Sequence, residues 1–162
     1  MRIAVVSDTH GRVGNTMAAI RRLVDEQPEV VLHCGDIGSP EVIPLFAGWP
    51  THFVFGNVDH DRAVLRAAAE EAGQFCHGRF GEIELGDRRI ALLHSDDHRA
   101  FREAIDSQNY DLVCYGHTHE HETHTEGRTV VLNPGALYRA VPHTLAMVDL
   151  GSLDVRFVIV EG

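Results

Sequence analysis

The chain has 162 residues, 44% of them hydrophobic and 23% charged, the make-up of a soluble globular protein with room for a single domain over residues 1–162. A formal net charge of −10, from 24 acidic against 14 basic residues, excludes the basic surface on which non-specific nucleic-acid or anionic-membrane binding depends. All 14 basic residues are arginine, which excludes a P-loop lysine or a Schiff base, and no apolar run approaches the roughly 20 residues of a membrane helix.

The opening MRIAVVSDTHG is apolar only from Ile3 to Val6 and has no small-residue cleavage site, so it reads as a buried strand, not a signal peptide. The expected location is the cytoplasm. Residues 14–27 carry Met17, Ile20, Leu23 and Val24 at helical spacing before Pro28 stops them. VVLHCG is the second strand, SPEVIPLFAG opens a helix with a serine N-cap and Pro40 at its first position, and THFVFGN is the third strand. DRAVLRAAAEEAG is a helix closed by Gly73. This alternation predicts a largely parallel sheet with helices packed on it.

The second half changes character. FGEIELGDRRIALLHS reads as a hairpin turning at Gly86 and Asp87, followed by a helix over 98–108 and a buried strand in DLVCYG. ETHTEGRTVVLN and TLAMVDLGSLDVRFVIV then read as antiparallel pairs, giving two packed sheets with helices outside. Cys34 and Cys114 each end an apolar run and read as small buried hydrophobes. Without a C-x-x-C pair, the three cysteines make neither a disulfide framework nor a thiolate metal site.

Several strands end in polar residues of metal-ligating type: Asp8 and His10 after the first, Asp36 after the second, Asn57 after the third, His94 after IALL and His117 and His119 after DLVCYG. In an open α/β sheet the site lies outside the carboxyl ends of the strands, so these residues are expected to converge. Seven ligands are too many for one transition ion but suit two ions sharing a carboxylate. Asp36, after Gly35 at a strand tip, is the natural bridge through its two oxygens. Nitrogen and oxygen donors without thiolate leave manganese, iron, zinc, nickel and cobalt open.

In this order, and with the NPG turn of Asn133 to Gly135, the motifs DTH, GD, GNVD, LLHS and GHTH resemble those of the calcineurin-like metallophosphoesterases. The small single-domain bacterial and archaeal phosphodiesterase branch is most similar, from Met1 to about Asp149. The resemblance implies an α/β four-layer sandwich of two mixed β-sheets flanked by α-helices. It implies a metal-dependent phosphoric ester hydrolase with two divalent transition-metal ions per chain, manganese first among them. One ion would be held by Asp8, His10, Asp36 and His119, the other by Asp36, Asn57, His94 and His117. A hydroxide bridging them would attack a phosphodiester in line. The implied partner is a small phosphate-ester substrate; whether the chain forms a homo-oligomer stays open.

One position departs from the pattern. Many members carry a histidine after the asparagine, where it serves the leaving oxygen, and this chain has Val58. A missing general acid costs about 100- to 10,000-fold for poor leaving groups, so aryl esters and diesters should suffer least. His60 is a candidate replacement acid, and Arg139 and His121 are candidate substrate-binding residues. His124 reads as solvated, Asp59 as a brace of the GNVD turn, and Asp96 and Asp97 as hydrogen-bond partners of ligand histidines. The competing readings are a phosphomonoesterase or nucleotide phosphatase with the same metals, and a non-catalytic protein-binding scaffold of the same fold.

Overall fold

Alternation along the first strand decides the layering. In β1 (Arg2–Val6), Ala4 and Val6 face the helices while Ile3 and Val5 face a second sheet, so both faces are buried. The computed structural model describes residues 1–161. Along the chain, β1 leads to α1 (Val13–Glu26), β2 (Val30–His33), a 3-10 helix (Pro40–Phe46), β3 (Thr51–Phe53), α2 (Arg62–Glu71) and β4 (Phe75–Cys76). There follow β5 (Phe80–Leu85), β6 (Arg88–Leu93), α3 (His98–Asp106), β7 (Leu112–Cys114), β8 (His121–Glu126), β9 (Thr129–Pro134), β10 (His143–Asp149) and β11 (Asp154–Val160).

The first sheet has the order β11-β10-β1-β2-β3-β4, with β1 to β4 parallel and β10 and β11 antiparallel beside them. The second has the order β5-β6-β7-β9-β8, in which β6, β7 and β9 are parallel. Between the sheets lie Ile3, Leu32, Ile90, Leu92, Leu112 and Leu132, together with Cys34 and Cys114. Outside the first sheet, Leu23, Ile43, Phe46 and Leu65 seal α1, the 3-10 helix and α2; outside the second, Leu93, Val113 and Tyr115 pack against Ile105 of α3. The expected four-layer sandwich of two mixed sheets is therefore what the chain adopts.

Three local expectations change. The SPEVIPLF segment keeps its Ser39 cap, which accepts from Glu41 N–H, but winds as a 3-10 helix because Pro44 inside it has no N–H for an α-type bond. The second half holds the expected antiparallel pairs β5–β6, β8–β9 and β10–β11, but β6, β7 and β9 are joined side by side in parallel. As a result the strand tips come from two sheets: β1, β2 and β3 from the first, β6 and β7 from the second, all at their carboxyl ends.

Candidate metal centre

The tips of β1, β2 and β7 bend sharply as they leave their strands. Asp8, His10, Asp36, His117 and His119 have φ of +56°, +46°, +53°, +76° and +63°, left-handed values that cost a non-glycine residue about 1–3 kcal/mol each. Such strain persists only where the surroundings enforce it. Here β1 and β2 loops are stitched together by Asp8 N–H on Gly35 C=O (3.0 Å), His10 N–H on Asp36 C=O (2.9 Å) and Gly11 N–H on Ile37 C=O (2.8 Å). Glycines allow the approach: a Cβ on Gly56 would overlap Asp36 Oδ1, and one on Gly116 would overlap Ser7 Oγ and crowd Asp8 Oδ2.

These bends bring all seven predicted residues together. Asp8, His10 and His119 form one group, and Asp36, His94 and His117 a second, with the donor atoms of each group within 4.8 Å of one another. Asn57 joins the second, its Oδ1 lying 3.0 Å from His117 Nδ1. Asp36 Oδ2 lies 3.1 Å from His94 Nε2 and 3.3 Å from His10 Nε2, so a single oxygen faces both groups. The other oxygen, Oδ1, accepts from Val58 N–H at 3.0 Å.

Three of the donor atoms are presented without hydrogen-bond partners. Asp8 Oδ1, His10 Nε2 and His94 Nε2 are buried and unpaired, although His119 Nε2 lies 3.1 Å and His10 Nε2 3.5 Å from Asp8 Oδ1. Unpaired buried polar atoms cost free energy unless a ligand satisfies them. The imidazoles are oriented from behind: His94 Nδ1–H donates to Cys34 C=O at 2.8 Å, and His119 Nδ1 faces Arg139 C=O at 3.4 Å, which turns each Nε2 lone pair into the site. This thiolate-free N/O set, with Asp8, Asp36 and His94 buried, His10 and His119 half-buried and Asn57 and His117 exposed, fits divalent transition ions.

The electrostatics point the same way. Burial alone would raise the Asp8 and Asp36 carboxyls, but His10 and His119 against Asp8, and His10 and His94 against Asp36, hold both well below the usual range. Burial alone would lower His10, yet Asp36 and Asp8 push it up to about 9. Asp8 raises His119, and Asp36 and Asp8 raise His94 against the effect of burial. The pair of carboxylates therefore draws positive charge to itself.

The residues around the centre are arranged in three adjoining cavities. The central one, of about 390 Å³, is lined by His10, Asp36, Asn57, Val58, His117, His119, Tyr138 and Arg139. Across Val58 lies a cavity of about 270 Å³ whose wall includes Pro40, Val64 and Leu65, and it is here, not on the central wall, that His60 sits. Across His119 and Arg139 lies a third, of about 390 Å³, that holds His121, whose ring also packs 4.8 Å from Phe157. His124 lies apart, exposed between Glu122 and Glu126.

Asp59 braces more than its own turn. Its Oδ2 accepts from Gly56 N–H (2.8 Å) and Ile37 N–H (3.2 Å) and its Oδ1 from Gly38 N–H (2.9 Å), so it ties the Asp36 loop to the Asn57 loop. Asp96 and Asp97 do not back the ligand histidines: Asp96 pairs with Arg79 at 2.6 Å, and Asp97 caps α3 by accepting from Ala100 N–H. Backbone carbonyls perform the orienting role instead, and these carry no sequence signal. Two rim residues escaped the sequence reading, Arg12 and Tyr138. Their only sequence signal was adjacency, Arg12 two residues beyond His10 and Tyr138 beside Arg139.

Comparisons with known proteins agree with this geometry. A family model described as the calcineurin-like phosphoesterase superfamily domain matches residues 1–152. The chain is 31% identical over 166 residues to phosphodiesterase MJ0936 of Methanocaldococcus jannaschii, covering 99% of this chain and 100% of that protein. Among solved structures, an archaeal phosphodiesterase superposes with a TM-score of 0.90 at 30% identity, over 98% of this chain and 99% of the other. Zinc-bound Vps29 from Entamoeba histolytica superposes with a TM-score of 0.66 at 18% identity, over 99% of this chain and 100% of that one, a likeness of fold alone.

Proposed function

Because the chain belongs to the calcineurin-like phosphoesterase superfamily, we propose that it is a metal-dependent phosphoric ester hydrolase that cleaves phosphodiesters at a dinuclear centre. The observation that carries this reading is Asp36 Oδ2, one oxygen set against both histidine groups. Asp8, His10, Asp36 and His119 would hold one ion and Asp36, Asn57, His94 and His117 the other, manganese first among the candidates. Two divalent ions supply the positive charge that an acidic chain otherwise lacks and a nucleophile at neutral pH. The domain spans residues 1–162 and works in the cytoplasm, where its three free cysteines stay reduced.

The chain's own residues do the rest. Cys34 C=O and Arg139 C=O fix the tautomers of His94 and His119, and Asp59 holds the two loops at one spacing. Arg139 lines the central wall at the edge shared with the cavity of His121, so both side chains are set to bind the substrate beyond the reacting phosphate. Beyond Val58, a cavity of mixed lining, apolar at Pro40, Val64 and Leu65 and polar at His60 and Asp61, has room for one arm of a diester. His60, in that same cavity, is the candidate acid for the leaving oxygen. His60→Ala should therefore slow poor leaving groups more than good ones.

The test is a panel of aryl phosphate mono- and diesters, cyclic nucleotides and dinucleotides, each with manganese, nickel, zinc, iron or no metal. Asp36→Asn and His94→Ala are run beside the wild type. Metal-dependent diester cleavage, with metal content reduced in both variants, is the expected result. Faster monoester cleavage would make the chain a phosphomonoesterase. No hydrolysis by metal-loaded protein, with unchanged metal content in the variants, would sink the enzyme reading and favour a scaffold.

A further inference from the structure

We propose that Arg12, Tyr138 and Arg139 form a recognition site for a second phosphate on the substrate, one that is bound but not cleaved. The inference rests on the phosphoesterase reading and narrows it to substrates with an additional phosphate on the retained arm.

Seven arginines pair with carboxylates, among them Arg79 with Asp96, Arg102 with Asp106 and Glu126, and Arg128 with Asp111, whereas Arg2, Arg21, Arg22, Arg62 and Arg66 have no such partner among the described residues and do not line the central cavity. Among the described residues, neither Arg12 nor Arg139 has a carboxylate within 4.0 Å. Both instead gather on one ring. The Arg12 guanidinium carbon lies 4.5 Å from the Tyr138 centroid and its Nη2 donates to the hydroxyl at 3.1 Å; the Arg139 carbon lies 5.1 Å from the same centroid. An exposed cation–π contact contributes about 0.5–1 kcal/mol and leaves the charge unneutralised. Two cations are thus oriented, and apart from Arg12 Nη2, which holds the Tyr138 hydroxyl, their N–H groups are available to an anion.

The loop that carries them is held. Asn15 Nδ2 donates to Leu137 C=O at 2.7 Å, which ties the start of α1 to the segment after β9, and Arg139 keeps a left-handed φ of +48°. Tyr138 packs 5.0 Å from the His10 ring, so the pair stands beside the first ligand group. Tyr138 and Arg139 line the central cavity, whereas Arg12 reaches the ring without lining that wall. A group spanning the two arginines therefore extends beyond the scissile phosphate. Guanidinium geometry favours phosphate there through paired N–H donors.

The probes are the 4-nitrophenyl ester of thymidine 5′-phosphate and the same ester carrying a 3′-phosphate. They share scissile bond and leaving group and differ by one phosphate. Wild type should favour the doubly phosphorylated ester by about tenfold in kcat/KM, the size of one charge-assisted contact. Arg12→Gln should reduce that ratio and Arg12→Gln/Arg139→Gln should bring it near one. Both positions are exposed, so folding is not at stake. Calorimetry of thymidine 3′,5′-bisphosphate against thymidine 5′-phosphate, with chelator present, should give the same order of ratio and the same collapse. No preference in wild type, or a preference that survives in the double variant, overturns the proposal. If neither ester is hydrolysed, the phosphoesterase reading fails and the calorimetric ratio alone decides the arginine site.

Discussion

Asp59→Asn isolates the clamp between the two central loops, because it keeps the shape of the side chain and alters only its acceptors. The carboxylate takes three backbone donors, Gly56 and Ile37 on Oδ2 and Gly38 on Oδ1. An amide that keeps the first two turns its NH₂ toward Gly38 N–H and leaves that partly buried donor without its acceptor. The lost bond to a charged acceptor is worth about 1.5–3 kcal/mol. Part is offset, since burial pushes the Asp59 carboxyl up and neighbouring Asp36 adds to the shift, so the neutral amide is spared a desolvation cost. The net expectation is about 1–2 kcal/mol, or about 3–6 °C in Tm for a chain of this size. Asp59→Ala, which strands all three donors, should cost about 3 kcal/mol or more. Urea denaturation of chelator-treated protein measures this without metal linkage masking it. Manganese titration of the same variants should show about 10- to 100-fold weaker binding, as Asp36 loses its support. Wild-type stability together with wild-type metal affinity in Asp59→Asn would refute the clamp.

Gly56→Ala places a methyl on Asp36 Oδ1 and 2.5 Å from Asp36 N. It should lower kcat/KM by about 100-fold and reduce bound metal measured by elemental analysis; full metal content at normal rate would count against the cradle. Val58→His should raise turnover of alkyl esters relative to aryl esters by about tenfold or more, read from a leaving-group series, and an equal change across the series would exclude a leaving-group role. Burial, and then neighbouring His77, lowers His52 from 6.5 to about 4, so between those values the unfolded chain binds a proton that the folded chain does not. Its stabilisation is complete above about pH 6.5 and is lost as the pH falls toward 4. His52→Phe should flatten the stability profile across that window, and an unchanged slope would refute the assignment.

Residues whose role follows from position on a strand were legible. Asp8, Asp36, Asn57, His94 and His117 each follow an apolar run, and a buried strand can only deliver its next polar residue at its tip. What the pattern left hidden is contact between distant segments. Arg12 and Tyr138 meet because Asn15 binds Leu137 C=O across 122 positions, and neither periodicity nor motif marks such a contact. The two-sheet origin of the tips was hidden for a related reason. β6, β7 and β9 are separated by a helix and by a hairpin strand that look alike whether the flanking strands pair parallel or antiparallel. β4 has only two residues, too few for any alternation to appear.

The deeper limit concerns how a carboxylate is used. Asp8 gives Oδ2 to the fold, accepting from Ser7 Oγ at 2.5 Å and His117 N–H at 3.2 Å, and leaves Oδ1 unpaired toward His10 and His119. Asp36 divides its oxygens in the same way, Oδ1 to Val58 N–H and Oδ2 toward His10 and His94. Each residue is at once a loop fastener and a candidate ligand. The fastening fixes the direction of the free oxygen, because a carboxylate held at one oxygen loses most of its rotation. Substitution by asparagine should therefore have two separable consequences: an amide oriented to keep the fastening presents NH₂ to the cation, while one oriented to offer its oxygen sets NH₂ against a backbone N–H. Either orientation fails at one end only, so for Asp36→Asn loss of metal and loss of loop order should be alternatives, and a variant that lost both would refute the division of roles between the two oxygens. A variant that lost metal with hydrogen exchange at Val58 unchanged would show that the amide had kept the fastening and failed only as a ligand.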